Sequence, residues 1–197
     1  MKKGYVYTIV FMLIISAVFT FVLAFANTLL KPRIDANATY AKQVAILDSV
    51  GVKAEGNAEE VAALFEAQLE EAKSESYDYY VQKDENGSPK AYAVPFTGSG
   101  LWGTIRGYAG VSEDKNTLLG IVFTEQNETP GLGGRISEDW FRDQFRGLSL
   151  AEGAPQDYGQ VGDKQIDAIT GATQTSDAII RILKQLVEKL LPELEVA

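Results

Sequence analysis

Three threonines surround a Gly-Ala pair near the end of the chain, in residues 167–176 with the sequence DAITGATQTS. Gly171 and Ala172 carry almost no side chain, so a bulky anion can approach the backbone closely. A helix that starts here adds unpaired N–H donors and a partial positive charge, which favour a phosphate. Hydroxyls beside such a site can bind a phosphate or be covalently bonded to one. The alternative is a turn that only caps the helix.

A second glycine-rich segment, residues 128–134 with the sequence ETPGLGG, predicts an exposed turn. Pro130 fixes φ and Gly131 permits a positive φ, which together favour a tight turn. Gly133 and Gly134 leave the following backbone bare, so the loop can lie flat against a ring and offer N–H groups to it. A hairpin loop of purely structural value is the alternative.

A third segment, residues 98–103 with the sequence GSGLWG, places Trp102 beside bare backbone. An indole in this position can stack on a flat aromatic cofactor. It can equally be a core aromatic, and the sequence favours neither interpretation.

Composition excludes several classes of chemistry. The 197 residues include no cysteine and no histidine, which excludes disulfides, iron–sulfur clusters, sulfur or imidazole metal sites and histidine-dependent nucleophilic catalysis. Redox chemistry would therefore need an organic cofactor. The net charge of −9 argues against nucleic-acid binding through a basic face. We predict no catalytic residue and no metal site in this chain.

The N-terminal segment predicts a membrane helix. Residues 5–30 contain no charged side chain, and about 20 apolar residues at about 1.5 Å each cross a hydrocarbon layer of roughly 30 Å. The alternative is a cleaved signal peptide, because Ala24-Phe25-Ala26 resembles a cleavage site. We predict an uncleaved anchor and flank in residues 1–36, followed by a second domain in residues 37–197.

The remaining pattern predicts an α+β fold with an antiparallel sheet flanked by helices, preceded by one N-terminal transmembrane helix. Asn57 is positioned to cap a helix over 58–73, Ser137 a short helix through Phe145, and Thr175 or Ser176 a last helix that ends at Pro192. Trp140 is expected in the core. Alternating apolar residues predict four strands: 77–82, 90–96, 104–111 and 118–124.

The first two glycine-containing segments resemble the hallmarks of the FMN-binding domain family, in the family's order and approximate spacing. In that family a threonine of the (Ser/Thr)-Gly-Ala-Thr signature carries FMN through a phosphodiester bond. The resemblance implies FMN as the cofactor and Thr173 as its covalent attachment site, with Thr175 as the alternative acceptor. It also implies that Thr170, Gly171 and Ala172 belong to the binding turn.

Further site residues follow from the same resemblance. Asp167 matches the aspartate that the modifying flavin transferase recognises. The second segment lines the flavin ring and its ribityl chain in the family, which implies that Glu128, Thr129, Leu132 and Gly133 bind FMN here. Trp102 joins the site if it stacks on the flavin face.

The Gly-x-Gly-Leu-Trp block followed by Gly107-Tyr108 resembles one branch of the family, the FMN-carrying C component of the sodium-translocating NADH:quinone oxidoreductase. The related branch is the G component of the Rnf ferredoxin:NAD complex. The resemblance implies an electron-transfer subunit in the cell (inner) membrane, single-pass, with its FMN-binding domain on the periplasmic or extracellular side. Its partners would be the other membrane subunits and a flavin transferase. An exported module that binds free FMN, and a structural subunit without flavin, are the alternatives.

Overall fold

The computed structural model describes residues 2–84 and 86–194; Met1, Glu85 and residues 195–197 lie outside the described part. The chain divides into two compact units, residues 1–39 and 40–197. Helix α1 (Lys2–Ser49) provides the first unit and the beginning of the second.

Helix α1 is long and apolar enough to cross a membrane, judged by its length and composition. Its apolar side chains are exposed along the first unit. In the uncharged part of this helix, Thr8 donates to the Gly4 carbonyl (3.0 Å) and Thr28 to the Ala24 carbonyl (2.9 Å). Polar groups in hydrocarbon need such internal partners, so this segment suits a lipid environment. It is consistent with association of the protein with a membrane.

The second unit is built on a six-stranded antiparallel sheet in which each strand pairs with the next along the chain. The strands are β1 (Leu69–Lys73), β2 (Asp78–Lys83), β3 (Pro89–Ser99), β4 (Thr104–Ser112), β5 (Thr117–Glu125) and β6 (Leu148–Ser149). A separate hairpin consists of β7 (Gly159–Val161) and β8 (Lys164–Ile166). The predicted α+β fold with an antiparallel sheet is confirmed.

Helices cover both faces of the sheet. Successive side chains of a strand point to opposite faces, so Tyr80 packs on one core cluster and Tyr79 on the other. The end of α1 and helix α2 (Ala58–Gln68) close the first face. Helices α3 (Asp139–Asp143) and α4 (Thr173–Gln185) close the second. Beyond α4 the chain stays helical through Leu186–Leu190 and Leu191–Glu193.

The C-terminal end of α1 is fixed to the sheet layer by one carboxylate. Asp48 forms ion pairs with Arg142 (2.9 Å) and Arg146 (2.6 Å). Arg146 also donates to the backbone carbonyls of Asp48 and Leu119, both at 3.3 Å. The three side chains are largely shielded from water, so these bonds to charged groups contribute more than surface pairs do.

Asp48→Ala is therefore expected to lower the free energy of unfolding by about 2 kcal/mol. The matched control is Asp78→Ala, which removes an exposed pair with Lys73 (3.4 Å) and should change stability by less than about 0.5 kcal/mol. Urea unfolding of the full chain in detergent measures both. Equal effects of the two substitutions would contradict the anchoring role of Asp48.

Four expectations for local structure are wrong. Helix α2 ends at Gln68, because Leu69–Lys73 pairs with β2 as an edge strand. Helix α4 begins at Thr173, before the predicted caps. Ser137 lies in a 3₁₀ turn, and the residue that precedes α3 is Glu138, without a side-chain cap. Trp140 is 40% exposed.

Candidate functional site

The predicted phosphate turn is an exposed turn that leads into α4. Gly171 has φ of 79°, a left-handed conformation that glycine adopts without strain. The Ala172 N–H donates to the Ile169 carbonyl (3.0 Å), which closes the turn. Among the described residues, no side chain caps α4. The N–H groups of its first turn therefore have no side-chain partner among these residues and can donate to a ligand at this end of the helix.

The three threonines of this turn have different surroundings. Thr170 and Thr173 are exposed, and Thr173 is the first residue of α4. Thr175 is only 1% exposed, and its hydroxyl donates to the Glu128 carboxylate. Its neighbour Ser176 accepts a hydrogen bond from the Ile169 N–H (3.1 Å). The helix thus presents one hydroxyl outward and uses the next ones for internal contacts.

The second glycine-rich segment forms a compact turn beside the first. The N–H groups of Leu132 and Gly134 both donate to the Thr129 carbonyl, at 3.1 and 3.0 Å. Leu132 is half-exposed and reaches the phosphate turn, where a Cβ on Gly171 would lie 3.3 Å from its Cδ2 atom. The fold therefore brings together two motifs that lie about 40 residues apart in the sequence.

The third segment faces α4 across a cleft. A hydrogen bond from the Gly100 N–H to the Gly103 carbonyl (2.8 Å) closes its turn. Trp102 is 69% exposed, so it is not a core aromatic. A cleft of about 370 Å³ separates this turn from α4. The residues that line it are Gly100, Leu101, Gln174, Asp177 and Arg181.

Glu128 connects all three segments. Its side chain is buried, and one carboxylate oxygen accepts the N–H groups of Leu101 (2.9 Å) and Trp102 (3.0 Å). The other oxygen accepts the Thr175 hydroxyl. The Glu128 N–H donates to the Gln126 side chain (2.8 Å). The carboxylate therefore faces inward, and sequence reasoning, which placed Glu128 in the lining of the cofactor site, missed its contact with Thr175.

Other expected site residues also have defined positions. Thr129 is exposed, whereas Gly133 is buried against Glu128 and Thr175. Asp167 is exposed, and its N–H donates to the Gln144 side chain (2.6 Å). Sequence reasoning did not identify the residues of α4 in the cleft, although Gln174, Asp177 and Arg181 have the spacing of one helix face.

Tyr158 is hydrogen-bonded to the backbone of α4. Its hydroxyl donates to the Ser176 carbonyl (3.0 Å), and burial raises the pKa of Tyr158 above its ordinary value. The folded protein therefore holds this proton more tightly than the unfolded chain does. This difference in pKa stabilises the folded protein. The stabilisation has its full value below about pH 10 and is lost as the pH rises above that value.

We expect Tyr158→Phe to flatten the loss of stability at alkaline pH. The slope of unfolding free energy against pH should decrease by up to about 1.4 kcal/mol per pH unit, because the variant lacks this group. Part of the slope remains, since burial also raises the pKa of Tyr77. Urea unfolding between about pH 8 and about pH 12 measures the slope. Parallel curves for both proteins would contradict the assignment.

The arrangement has the chemistry of a phosphate ester site. An uncapped helix start stabilises one negative charge by about 0.3–1 kcal/mol, and the bare turn at Gly171 leaves room for a phosphate beside Thr173. Leu132 reaches this turn, and the exposed Trp102 belongs to the turn across the cleft from α4. Both apolar side chains suit a flat ring. These residues fit a flavin mononucleotide.

Comparison with known proteins agrees with this chemistry. Residues 100–188 match the family model described as "FMN-binding domain". The C component of the Na⁺-translocating NADH-quinone reductase of Neisseria meningitidis is 36% identical over 109 residues, which cover 52% of this chain and 42% of the relative. The G component of the ion-translocating oxidoreductase complex of Methanosarcina acetivorans is 36% identical over 110 residues, 56% of each chain. The matches thus span less than two thirds of either relative.

Solved structures have the same fold. The corresponding component of the Na⁺-translocating NADH-quinone reductase from Parabacteroides distasonis has a TM-score of 0.64 and 26% identity, and the alignment covers 79% of this chain and 92% of the solved one. The NqrC structure from Shewanella oneidensis has a TM-score of 0.63 and 22% identity, with coverages of 75% and 92%. The matched segment contains the turns at 100–103, 128–134 and 167–176. Residues 100–188 therefore resemble FMN-binding domains in sequence, and the chain shares its fold with the two solved structures.

Proposed function

We propose that the protein carries FMN on Thr173 through a phosphodiester bond. The observation that supports this site best is the position of Thr173, an exposed hydroxyl on the first residue of an uncapped helix, next to the Gly171 turn. Thr175 suits this role less well, because its hydroxyl is buried and bonded to Glu128. Thr170 is exposed but precedes the helix.

Attachment forms two bonds and breaks two. The Thr173 oxygen bonds to the FMN phosphorus, which loses its bond to a leaving group, while the threonine O–H bond is broken. With a flavin dinucleotide as donor, the leaving group is a nucleoside monophosphate, which takes up the proton. The protein gains FMN less one water. The buried Glu128 carboxylate is already engaged by the Leu101 and Trp102 N–H groups and the Thr175 hydroxyl. We therefore propose that a flavin transferase, which recognises the exposed Asp167, carries out this step.

The chain's own residues then hold and orient the group. The N–H groups at the start of α4 stabilise the remaining negative charge of the diester. Trp102 and Leu132 offer apolar surfaces to the ring, and Thr129 and Gly133 supply the adjoining turn. FMN, when bound, supplies the capacity to accept and donate electrons. The surrounding turns are exposed, which suits exchange of electrons with another protein more than the enclosure of a small substrate.

The cellular role we propose is that of an electron-transfer subunit in a membrane ion-translocating oxidoreductase. Helix α1 anchors it in the cell membrane as a single span, and other membrane subunits supply and remove electrons. The named relatives are subunits of two such complexes, and we propose the sodium-translocating NADH:quinone type ahead of the Rnf type. We place the FMN-binding domain on the periplasmic or extracellular side.

A denaturation experiment tests this function. Full-length protein produced together with a flavin transferase is precipitated with acid and washed. A yellow pellet, whose flavin cannot be extracted, is expected. Yellow colour that passes into the supernatant would instead support an exported module that binds free FMN, and protein without flavin under any condition would support a structural subunit. Both outcomes would contradict the carrier proposal.

A further inference from the structure

A buried carboxylate links the segments that surround Thr173. Glu128 is 4% exposed, and its two oxygens accept three hydrogen bonds, from the Leu101 and Trp102 N–H groups and from the Thr175 hydroxyl. We propose that Glu128 is a positioning residue for flavin attachment. Together with Thr175 it fixes the turn at 100–103 and the first turn of α4, and so directs the Thr173 hydroxyl outward.

The hydrogen bonds account for the burial of a charge. A carboxylate removed from water is stable only when donors replace its hydration. Here each oxygen has a donor, and the donors come from different parts of the chain; Thr175 lies 47 residues from Glu128. Loss of the Thr175 donor would leave one buried oxygen without a partner, which is costly. The carboxylate therefore favours one arrangement of the loops over others.

Two glycines make room for this carboxylate. A Cβ on Gly100 would lie 2.5 Å from a Glu128 carboxylate oxygen, and a Cβ on Gly133 would lie 2.4 Å from the Thr175 hydroxyl oxygen. Neither contact is possible for a real side chain unless the Glu128 or Thr175 side chain moves out of its present hydrogen bonds or the loop itself shifts. The absence of a side chain at these positions therefore allows Glu128 and Thr175 to lie close to the loop backbone, whether or not a ligand also approaches it.

Helix geometry transmits the effect to Thr173. Side chains two positions apart on an α-helix point about 200° apart. With the Thr175 hydroxyl held against Glu128 inside the domain, the Thr173 hydroxyl must point away from it. Rotation or fraying of this first turn would move the acceptor oxygen, and misplacement of a reacting atom by about 1 Å can slow a reaction about 100-fold. The inference rests on the proposed attachment at Thr173.

The test compares Thr175→Val with Thr175→Ser. Each full-length variant is produced with the flavin transferase, and the rate of covalent FMN gain per folded protein is measured by intact mass. Thr175→Val keeps the volume but removes the donor, so attachment should slow about tenfold or more. Thr175→Ser restores the hydroxyl and should stay within about twofold of the wild type. Glu128→Ala should match Thr175→Val.

The control is Val111→Ala, a core substitution in β4 away from these loops. It destabilises the domain without touching Glu128, so its folded fraction should attach FMN at the wild-type rate. Folded Thr175→Val with a wild-type rate, or Thr175→Ser as slow as Thr175→Val, would overturn the inference. Wild-type protein that gains no flavin would instead contradict the proposed function itself.

A measurement on the unmodified wild-type protein covers the case in which these variants do not fold. Hydrogen exchange should show slow exchange at the Leu101 and Trp102 amides, because both donate to the buried carboxylate before any flavin is attached. The amide of the exposed Glu152, which donates to no other group in the described part of the chain, provides the fast reference. Exchange at Leu101 and Trp102 as fast as at this reference would overturn the positioning role.

Discussion

Thr173→Ala is expected to abolish covalent flavin. The substitution removes the only oxygen that can form the proposed phosphodiester while leaving the helix start intact, since alanine is the best helix former. Full-length protein produced with a flavin transferase should then have the mass of the bare polypeptide. The Glu128 contacts with Leu101, Trp102 and Thr175 do not involve Thr173, so the domain should remain folded.

Two further variants make the result specific. Thr173→Ser keeps a hydroxyl at the same position and should retain attachment. Thr170→Ala removes the other exposed hydroxyl of the turn and should also retain it. Full flavin occupancy in Thr173→Ala, or its loss in Thr170→Ala alone, would show that another residue carries the group.

Gly110→Ala is expected to lower the free energy of unfolding by about 3 kcal/mol or more. Gly110 in β4 pairs with Gly120 in β5, and the backbone of Ser49 crosses directly over this pair. A Cβ on Gly110 would lie 1.9 Å from the Ser49 carbonyl oxygen and 2.9 Å from the Val50 nitrogen. These are backbone atoms, so relief requires the end of α1 to move away from the sheet.

The control for this prediction is Gly103→Ala. Its Cβ would meet only the end of the flexible Asn127 side chain, at 3.3 Å, so stability should change by less than about 1 kcal/mol. Urea unfolding of the full chain in detergent compares the two. If Gly110→Ala unfolds at the wild-type urea concentration, the close approach of α1 to the sheet is not part of the fold.

Much of the fold follows from local pattern. The strands β2 to β5 alternate apolar residues with clear turns between them, which is sufficient to predict an antiparallel sheet. The sequence predicts helix where β1 lies, because Leu69–Lys73 is rich in residues that favour helices and only its pairing with β2 makes it a strand. Edge strands with polar side chains give little local signal.

The candidate site is predictable in its location and less so in its contacts. The small residues and hydroxyls of the turn at 170–173 indicate a phosphate site, and the fold brings Leu132 beside it. The inward carboxylate of Glu128 is not predictable, because acidic residues are rarely buried and the contact with Thr175 spans two distant segments. The Thr175 and Ser176 hydroxyls bond to Glu128 and to the Ile169 N–H, so neither caps α4, which begins at Thr173.

The proposed carrier function depends most on one covalent bond, and mass spectrometry tests it most directly. Protein isolated from its native membrane should exceed the mass of its polypeptide by one FMN less one water, and fragmentation of the peptide that contains residues 167–177 should place this addition on Thr173. An unmodified mass, or an addition located on Thr170 or Thr175, would contradict the assignment of Thr173 as the flavin carrier.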